Sequence, residues 1–217
     1  MSDFSNISDE ARSASERLQS AIGTAANHLT GRLLLATVTL FVGLSTYQYL
    51  NRTLTPRVEL YTPLDAAIPF LPWTILVYLS MYVMFAAAAT VVKGRDFLRG
   101  LTALIIVNLV SFLGFIVFTS HYPRPAPSSI EVEWLAALFT WMFGLDPPGN
   151  TFPSLHVGTT ATAAAMLWNK PGRWIWVVWA ALICVSTLTV KQHFVADVVG
   201  GLLVAALTFL WIDRRSS

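Results

Sequence analysis

The chain has 217 residues, of which 55% are hydrophobic and only 12% are charged, and its mean hydropathy is +0.60. Soluble globular domains carry about 25% charged residues, so this composition excludes an ordinary water-soluble enzyme and a disordered chain. The net charge of +2 excludes a basic surface for nucleic acid, and the single cysteine, Cys184, excludes an internal disulfide framework. We therefore predict an integral membrane protein.

The N-terminal segment, residues 1–31, is polar but carries regularly spaced apolar residues. They recur three or four positions apart: Ile7, Ala11, Ala14, Leu18, Ile22, Ala25 and Leu29. This spacing is typical of an amphipathic helix with a narrow apolar stripe. We expect the helix to lie on the cytoplasmic surface of the membrane, with self-association as the alternative.

Six apolar stretches follow, each near the length of a membrane-spanning helix, which needs about 20 residues for a bilayer core about 30 Å thick. Five of them lack Asp, Glu, Lys and Arg: residues 33–50, 72–92, 100–120, 151–169 and 174–190. The sixth, residues 194–212, is interrupted near its start by Asp197. The sequence predicts an all-α, polytopic membrane protein with six transmembrane helices, forming one domain over residues 32–213.

The basic residues predict the orientation, because short loops rich in Lys and Arg stay in the cytoplasm. With a cytoplasmic N-terminus, 14 basic residues divide into ten inside and four outside, namely Arg52, Arg57, Arg124 and Lys191. We therefore expect both termini in the cytoplasm. The short chain and compact loops favour the plasma (inner) membrane of a bacterium.

The two longer outer loops differ in character. Residues 52–71 are rich in Pro and Thr, and we interpret them as an ordered surface loop without chemistry. Residues 121–150 contain a cluster of large apolar residues: Trp134, Leu135, Leu138, Phe139, Trp141, Met142 and Phe143. About twelve residues cannot cross a bilayer, so this cluster predicts an interfacial helix.

Ionisable residues near the outer ends of the spans are the candidates for function, because such residues are costly inside a membrane. His193 and Asp197 are four residues apart and would share one face of a helix. The carboxylate would then orient the imidazole as a nucleophile or base, and a buried structural pair is the alternative. His156 lies on the same side of the membrane, so separate segments converge there.

Two further segments would suit an anion. Residues 150–156 open the fourth span, where free backbone N–H groups attract anions, although Ser154 could simply cap the helix. His156 would there be placed to protonate a leaving oxygen. Arg124, between two prolines, could bind phosphate through two N–H groups, with an ordinary loop arginine as the alternative.

The order of these residues resembles the type 2 phosphatidic acid phosphatase (PAP2) superfamily of membrane enzymes. Its blocks, K-x6-R-P, P-S-G-H and S-R-x5-H-x3-D, correspond to Arg124-Pro125, Pro153-Ser154-Leu155-His156, and His193 with Asp197. The resemblance covers about residues 117–201, and residues 100–212 would form the core of the catalytic domain. The Leu155 variant is similar to the branch of inositol phosphorylceramide synthase-like proteins.

The chain departs from these blocks at two cation positions. Val117 stands where the first block has lysine, and Thr187 stands where the third block has arginine. Two of the three expected phosphate-binding cations are therefore absent. Lys191, two residues before His193, is the candidate replacement.

The resemblance implies two-step phosphoryl transfer without a metal or cofactor. His193 would attack phosphorus and form a phosphohistidine, with Asp197 orienting it. His156 would protonate the leaving lipid alkoxide and then activate water or an acceptor hydroxyl. The phosphoryl oxygens would be held by Arg124, Lys191 and Ser154.

The sequence thus predicts a lipid phosphate phosphatase at the outer membrane face, acting on a phosphomonoester or diphosphate headgroup. Candidate substrates are phosphatidic acid, phosphatidylglycerol phosphate and polyprenyl diphosphate. The alternatives are a lipid headgroup phosphotransferase, a zinc site built from His156, His193 and Asp197, and a non-catalytic scaffold or transporter. The expected partners are the lipid phosphate and the bilayer, without nucleic acid. An oligomer is compatible with the sequence, but nothing indicates one.

Overall fold

The computed structural model describes residues 2–216, with side chains from residue 11 to residue 215, and the regular secondary structure of this part is helical, without a β-strand. Its α-helices are α1 Ser2–Asn27, α2 Leu29–Thr53, α3 Pro63–Ala67, α4 Ile75–Leu79, α5 Met81–Val91, α6 Gly94–Phe118, α7 Glu133–Leu145, α8 Leu155–Leu167, α9 Arg173–Thr189 and α10 Val195–Ser216. The predicted all-α class is confirmed.

Four helical stretches in the described residues are long and apolar enough to cross a membrane. They are Leu29–Thr53, Pro72–Val91, Gly94–Phe118 and Val195–Arg215. These match the first, second, third and sixth predicted spans. The chain therefore has the composition and helix lengths of a membrane protein.

The fourth and fifth predicted spans form shorter helices. α8 has 13 residues and α9 has 17, whereas about 20 residues are needed to cross a bilayer core. The predicted fourth span is shortened at its start because residues 151–154 fold as irregular backbone, and at its end by a turn before α9. The total of six spans stays a prediction.

α8 lies in the middle of the bundle. It packs against α5, α6, α9 and α10, and eight of its 13 residues are buried. A helix enclosed by protein can begin and end in irregular backbone at membrane depth, because its neighbours satisfy the free backbone groups. Because its neighbours enclose it, α8 can be shorter than a membrane span and still carry His156, a candidate catalytic residue.

The two predicted peripheral helices are present. α1 packs its last turns against α2 and α6, while Leu18 nearer its start stays 62% exposed. The side chain of Ile7, part of the predicted stripe, lies outside the described residues. α7 has 13 residues, too few to cross a bilayer, and it buries Leu135, Phe139 and Met142 beside α4.

A buried arginine joins α2 to α5 at the end of the bundle away from the candidate site. Arg32 is 2% exposed and donates hydrogen bonds to the carbonyls of Ala89 and Thr90, at 2.9 and 3.0 Å. These carbonyls belong to the last turn of α5, which has no helical N–H groups left to bind them. At the same end of the bundle, Arg99 pairs with Asp213 and ties the start of α6 to the end of α10.

Candidate active site

A cavity of about 590 Å³ lies between α2, α5, α7 and α8 at the end of the bundle where α8 begins. Three of the predicted site residues line it: Arg124, His156 and His193. They come from the loop before α7, the first turn of α8 and the connection before α10. The structure therefore brings together three segments that are far apart in the sequence.

His193 is held by Asp197. Its Nδ1 lies 3.3 Å from Asp197 Oδ2, and the Asp197 side chain is fully buried. Because an ionised carboxylate only accepts hydrogen bonds, Nδ1 carries the hydrogen and Nε2 keeps a lone pair. The two residues do not share a helix face as expected, because His193 precedes α10, which begins at Val195. The first turn of α10 brings Asp197 back to the imidazole.

His156 is held by Tyr78 in two ways. Its Nε2 lies 2.9 Å from the carbonyl oxygen of Tyr78, and its ring stacks on the Tyr78 ring with centroids 3.9 Å apart. A carbonyl only accepts, so Nε2 carries a hydrogen. Nδ1 has no hydrogen-bond partner in the described part of the chain. This nitrogen is therefore the one that can exchange a proton with a ligand.

Arg124 is fixed by Asp146, the residue that follows α7. Its guanidinium donates to the Asp146 carbonyl and, at 3.2 Å, to Asp146 Oδ2, and it lies over the Phe143 ring. Asp146 Oδ1 in turn accepts from Tyr47 and Asn51 of α2, at 2.7 and 2.9 Å. Arg124 is thus built into the cavity wall, unlike an ordinary loop arginine.

Ser154 caps α8 and does not line the cavity. Its hydroxyl oxygen accepts the N–H of Val157 at 3.2 Å, and its own N–H donates to the Asp197 carbonyl at 3.0 Å. A methyl group at Gly201 would come within 2.5 Å of the Ser154 carbonyl oxygen, so the glycine permits this close approach to α10. Ser154 therefore connects the two histidine-bearing segments.

Lys191 also lies away from the cavity. Its ammonium donates to the carbonyls of Asp65, at 3.0 Å, and Ile68 in the segment before α4. Burial lowers the pKa of Lys191, and the charge of Asp65 opposes that effect. The structure thus does not bring this predicted cation to the other site residues, because two backbone carbonyls already bind it.

Asp65 is a supporting residue that the sequence analysis missed. It is 2% exposed, its Oδ1 accepts the N–H of Val195 at 2.7 Å, and its Oδ2 accepts the N–H and hydroxyl of Thr62. The loop of residues 52–71 therefore holds the start of α10 next to His193. The spacing Thr62-x-x-Asp65 with Pro63 is a readable capping signal for α3.

The segment before α8 is held by the residues that follow α6. Ser120, which is 1% exposed, accepts the backbone N–H groups of Thr151 and Phe152 at 3.2 and 3.1 Å. The Phe152–Pro153 peptide bond is cis, and Asn150 has a φ of 53°. Asn150 and Gln192 line the cavity beside the predicted residues and were likewise missed.

Tyr122 covers the base of α10 from the loop after α6. Its ring stacks on Phe194, with centroids 4.4 Å apart. Burial raises the pKa of the Tyr122 phenol, and the charges of Asp65 and Asp197 add to this rise. The phenol therefore stays neutral and serves as an apolar cover beside His193.

The zinc alternative finds no support among the described residues. No three His, Cys, Asp or Glu side chains there are grouped so that they could hold a metal ion. The reason is visible in the geometry, because Asp197 faces Nδ1 of His193 while Nε2 of His156 is bound to a carbonyl.

Comparisons with known proteins agree with this architecture. A sequence profile described as the PAP2 superfamily matches residues 96–215, more than half of the chain. The crystal structure of Aquifex aeolicus LpxE is similar over 79% of this chain and 94% of that chain, with a TM-score of 0.50 and 16% identity. At that identity the likeness shows the fold alone. No curated protein matches the sequence significantly.

Proposed function

Because the chain belongs to the PAP2 superfamily, as its three sequence blocks predict, we propose that it is a membrane lipid phosphate phosphatase. It hydrolyses a phosphomonoester or diphosphate headgroup at the outer face of the membrane, with both termini on the cytoplasmic side. The observation that carries this proposal is the meeting of Arg124, His156 and His193 in one cavity. The excess of basic residues in the opposite loops supports the orientation.

The shape of the cavity suits a lipid. Its wall continues from the histidines along α2, from Gln48 to Thr37, through Leu44, Phe41 and Leu40. At 1.5 Å per residue, this wall extends about 16 Å along the helix axis. A ligand with a phosphate at one end and an apolar chain at the other fits such a cavity, because the chain stays out of water while the phosphate meets the histidines.

In the first step, Nε2 of His193 attacks phosphorus while the bond from phosphorus to the lipid oxygen breaks. His156, protonated on both nitrogens, gives its Nδ1 proton to that oxygen, and the leaving group is the lipid alcohol of a phosphomonoester or the lipid monophosphate of a diphosphate. Asp197 accepts the Nδ1–H of His193 and stabilises the positive charge that the imidazole gains. The product of this step is a phosphohistidine.

In the second step, water replaces His193 at phosphorus. The neutral Nδ1 of His156 takes a proton from the water as the oxygen attacks, and the electron pair of the broken P–N bond returns to Nε2. Inorganic phosphate leaves, and His156 is protonated again for the next substrate. Throughout both steps, Arg124 stabilises the charge on the phosphoryl oxygens.

The test uses the full chain purified in detergent, with EDTA present and a panel of phospholipids and polyprenyl diphosphate. Released phosphate and lipid products are measured together, and wild type is compared with His193→Ala. The matched control is His28→Ala, because His28 is exposed before α2 and its side chain makes no cap hydrogen bond. Phosphate release that is lost only in His193→Ala supports the proposal. Absence of products from every lipid contradicts it and favours the scaffold alternative.

A lipid headgroup phosphotransferase is the second candidate, favoured by the two missing cations. Val117 is 69% exposed on the outer surface of the bundle, and the buried Thr187 hydroxyl donates to the Cys184 carbonyl. The same cavity could accept an alcohol in place of water in the second step. Adding a second lipid alcohol, such as a diacylglycerol of different chain length, to the assay separates the two, because only a transferase moves the phosphoryl group onto that alcohol and makes a new phospholipid.

A further inference from the structure

Three buried N–H groups in the cavity wall have no hydrogen-bond partner in the described part of the chain. They are Nε of Arg124, Nδ2 of Asn150 and Nε2 of Gln192. Asn150 is 4% exposed and Gln192 is 3% exposed. A buried donor without a partner loses its hydrogen bonds to water and gains none in return. Three such donors around one cavity indicate a ligand that supplies several acceptor atoms.

Each amide lies next to a catalytic segment. Gln192 directly precedes His193, and both backbone N–H groups donate to the Thr187 carbonyl, at 3.0 and 3.2 Å. Asn150 is followed by the Ser120-bound backbone of Thr151. The segment that carries each amide is therefore fixed by buried hydrogen bonds.

We infer that Asn150 and Gln192, together with Arg124, bind the non-bridging oxygens of the phosphoryl group. The inference rests on the proposed function and deepens it, because it assigns neutral ligands to the group that is transferred. Phosphoryl oxygens only accept hydrogen bonds, and they are the acceptors that three unpartnered N–H groups require. The phosphate is thus held by one guanidinium and two amides.

This assignment explains how the site binds a phosphate although two of the three cations of the sequence blocks are absent. Val117 points to the outer surface, the Thr187 hydroxyl is bound within α9, and the Lys191 ammonium is bound to two backbone carbonyls. Arg124 is the one Lys or Arg in the cavity wall of the described residues, and Asp146 pairs with it. The amides supply donors where further positive charge is absent.

A fourth unpartnered atom in the wall differs in chemistry. Oε1 of Gln48 is a buried acceptor on α2. An acceptor cannot bind a phosphoryl oxygen, but it can bind a hydroxyl or ammonium group. We therefore leave Gln48 out of the phosphate-binding set.

The experiment measures the dissociation constant of inorganic phosphate by calorimetry on the full chain in detergent, with EDTA present. The variants are Gln192→Met, which keeps the side-chain length without donors, and Asn150→Gly. Glycine suits position 150 because it readily adopts the positive φ found there. Each variant is expected to weaken phosphate binding about tenfold, since each loses a hydrogen bond to a charged ligand.

The control is Asn169→Gly, which removes an exposed amide in the turn after α8 and should leave phosphate binding unchanged. Thermal unfolding confirms that each variant is folded. Weaker binding in both cavity variants supports the inference even if no lipid is hydrolysed, in which case the proposed function alone fails. Equal binding in wild type and in both variants overturns the inference even if lipid hydrolysis stands, and so does a wild type that does not bind phosphate.

Discussion

The ring of Tyr78 lies against the imidazole of His156, with centroids 3.9 Å apart and planes within 11° of parallel, while the Tyr78 backbone carbonyl binds Nε2 of the same imidazole. One residue of α4 thus fixes both the ring plane and the tautomer of a histidine 78 positions away. It leaves Nδ1 as the nitrogen that exchanges protons.

The first prediction tests the stacked ring. Tyr78→Ala keeps the carbonyl but removes the ring, and we expect kcat to fall about tenfold because an aromatic pair contributes about 0.5–1.5 kcal/mol. Tyr78→Phe keeps the stack and should retain nearly full activity. Steady-state kinetics on a lipid phosphate check both variants. A similar loss of activity in Tyr78→Phe would show that the hydroxyl matters and would contradict the stacking argument.

The second prediction concerns Asp146, which holds Arg124 from the end of α7. Asp146→Ala removes the carboxylate that accepts from the Arg124 guanidinium and the Tyr47 hydroxyl, and leaves Arg124 only the backbone carbonyl of residue 146. We expect the free energy of unfolding to fall by about 1–3 kcal/mol and KM to rise, because Arg124 loses its fixed position. Thermal unfolding and kinetics measure the two effects. Asp96→Ala, at an exposed position near the start of α6, is the control and should change neither.

The third prediction concerns Asp65 in the short helix α3. Its carboxylate binds the N–H of Val195, so Asp65→Ala should loosen the start of α10 and misplace His193. We expect a lower kcat and a loss of about 1–3 kcal/mol in stability. Asp65→Asn keeps one carbonyl oxygen as an acceptor and should recover part of both losses. If Asp65→Ala has wild-type kcat, α3 does not support the site.

The sequence was sufficient for the helical class and for three of the residues that line the cavity. Arg124, His156 and His193 lie near the ends of strongly apolar stretches, where an ionisable residue is conspicuous. Hydropathy also located the four long helices. Both predictions rest on the pattern of apolar and ionisable residues within a short stretch, which can be recognised in a single sequence.

The supporting contacts could not be predicted in the same way, because they join distant segments. Asp65 and Val195 are 130 positions apart, and Tyr47 and Asp146 are 99 apart. Nothing near Lys191 in the sequence indicates that its ammonium binds the carbonyls of Asp65 and Ile68. The short length of α8 could not be predicted for the same reason, because the residues before this helix are bound to Ser120 of a distant segment.

The last prediction separates the roles of the two histidines with p-nitrophenyl phosphate, whose leaving group departs without a proton. In His156→Ala the first step should proceed, because His193 still attacks phosphorus and no acid is needed. The second step should slow about 10²–10⁴-fold, because no base activates water. The variant should therefore release one nitrophenolate per protein molecule in a burst and then nearly stop.

The burst has a direct chemical check. Rapid quenching in alkali, followed by mass spectrometry, should find the phosphoryl group on His193 of the His156→Ala protein. His193→Ala should give neither burst nor phosphorylated peptide, while Asp197→Asn should form the phosphohistidine more slowly because its orienting charge is gone. A His156→Ala protein that hydrolyses p-nitrophenyl phosphate at the wild-type rate without a burst would exclude His156 as the base. Turnover by His193→Ala would exclude the phosphohistidine itself.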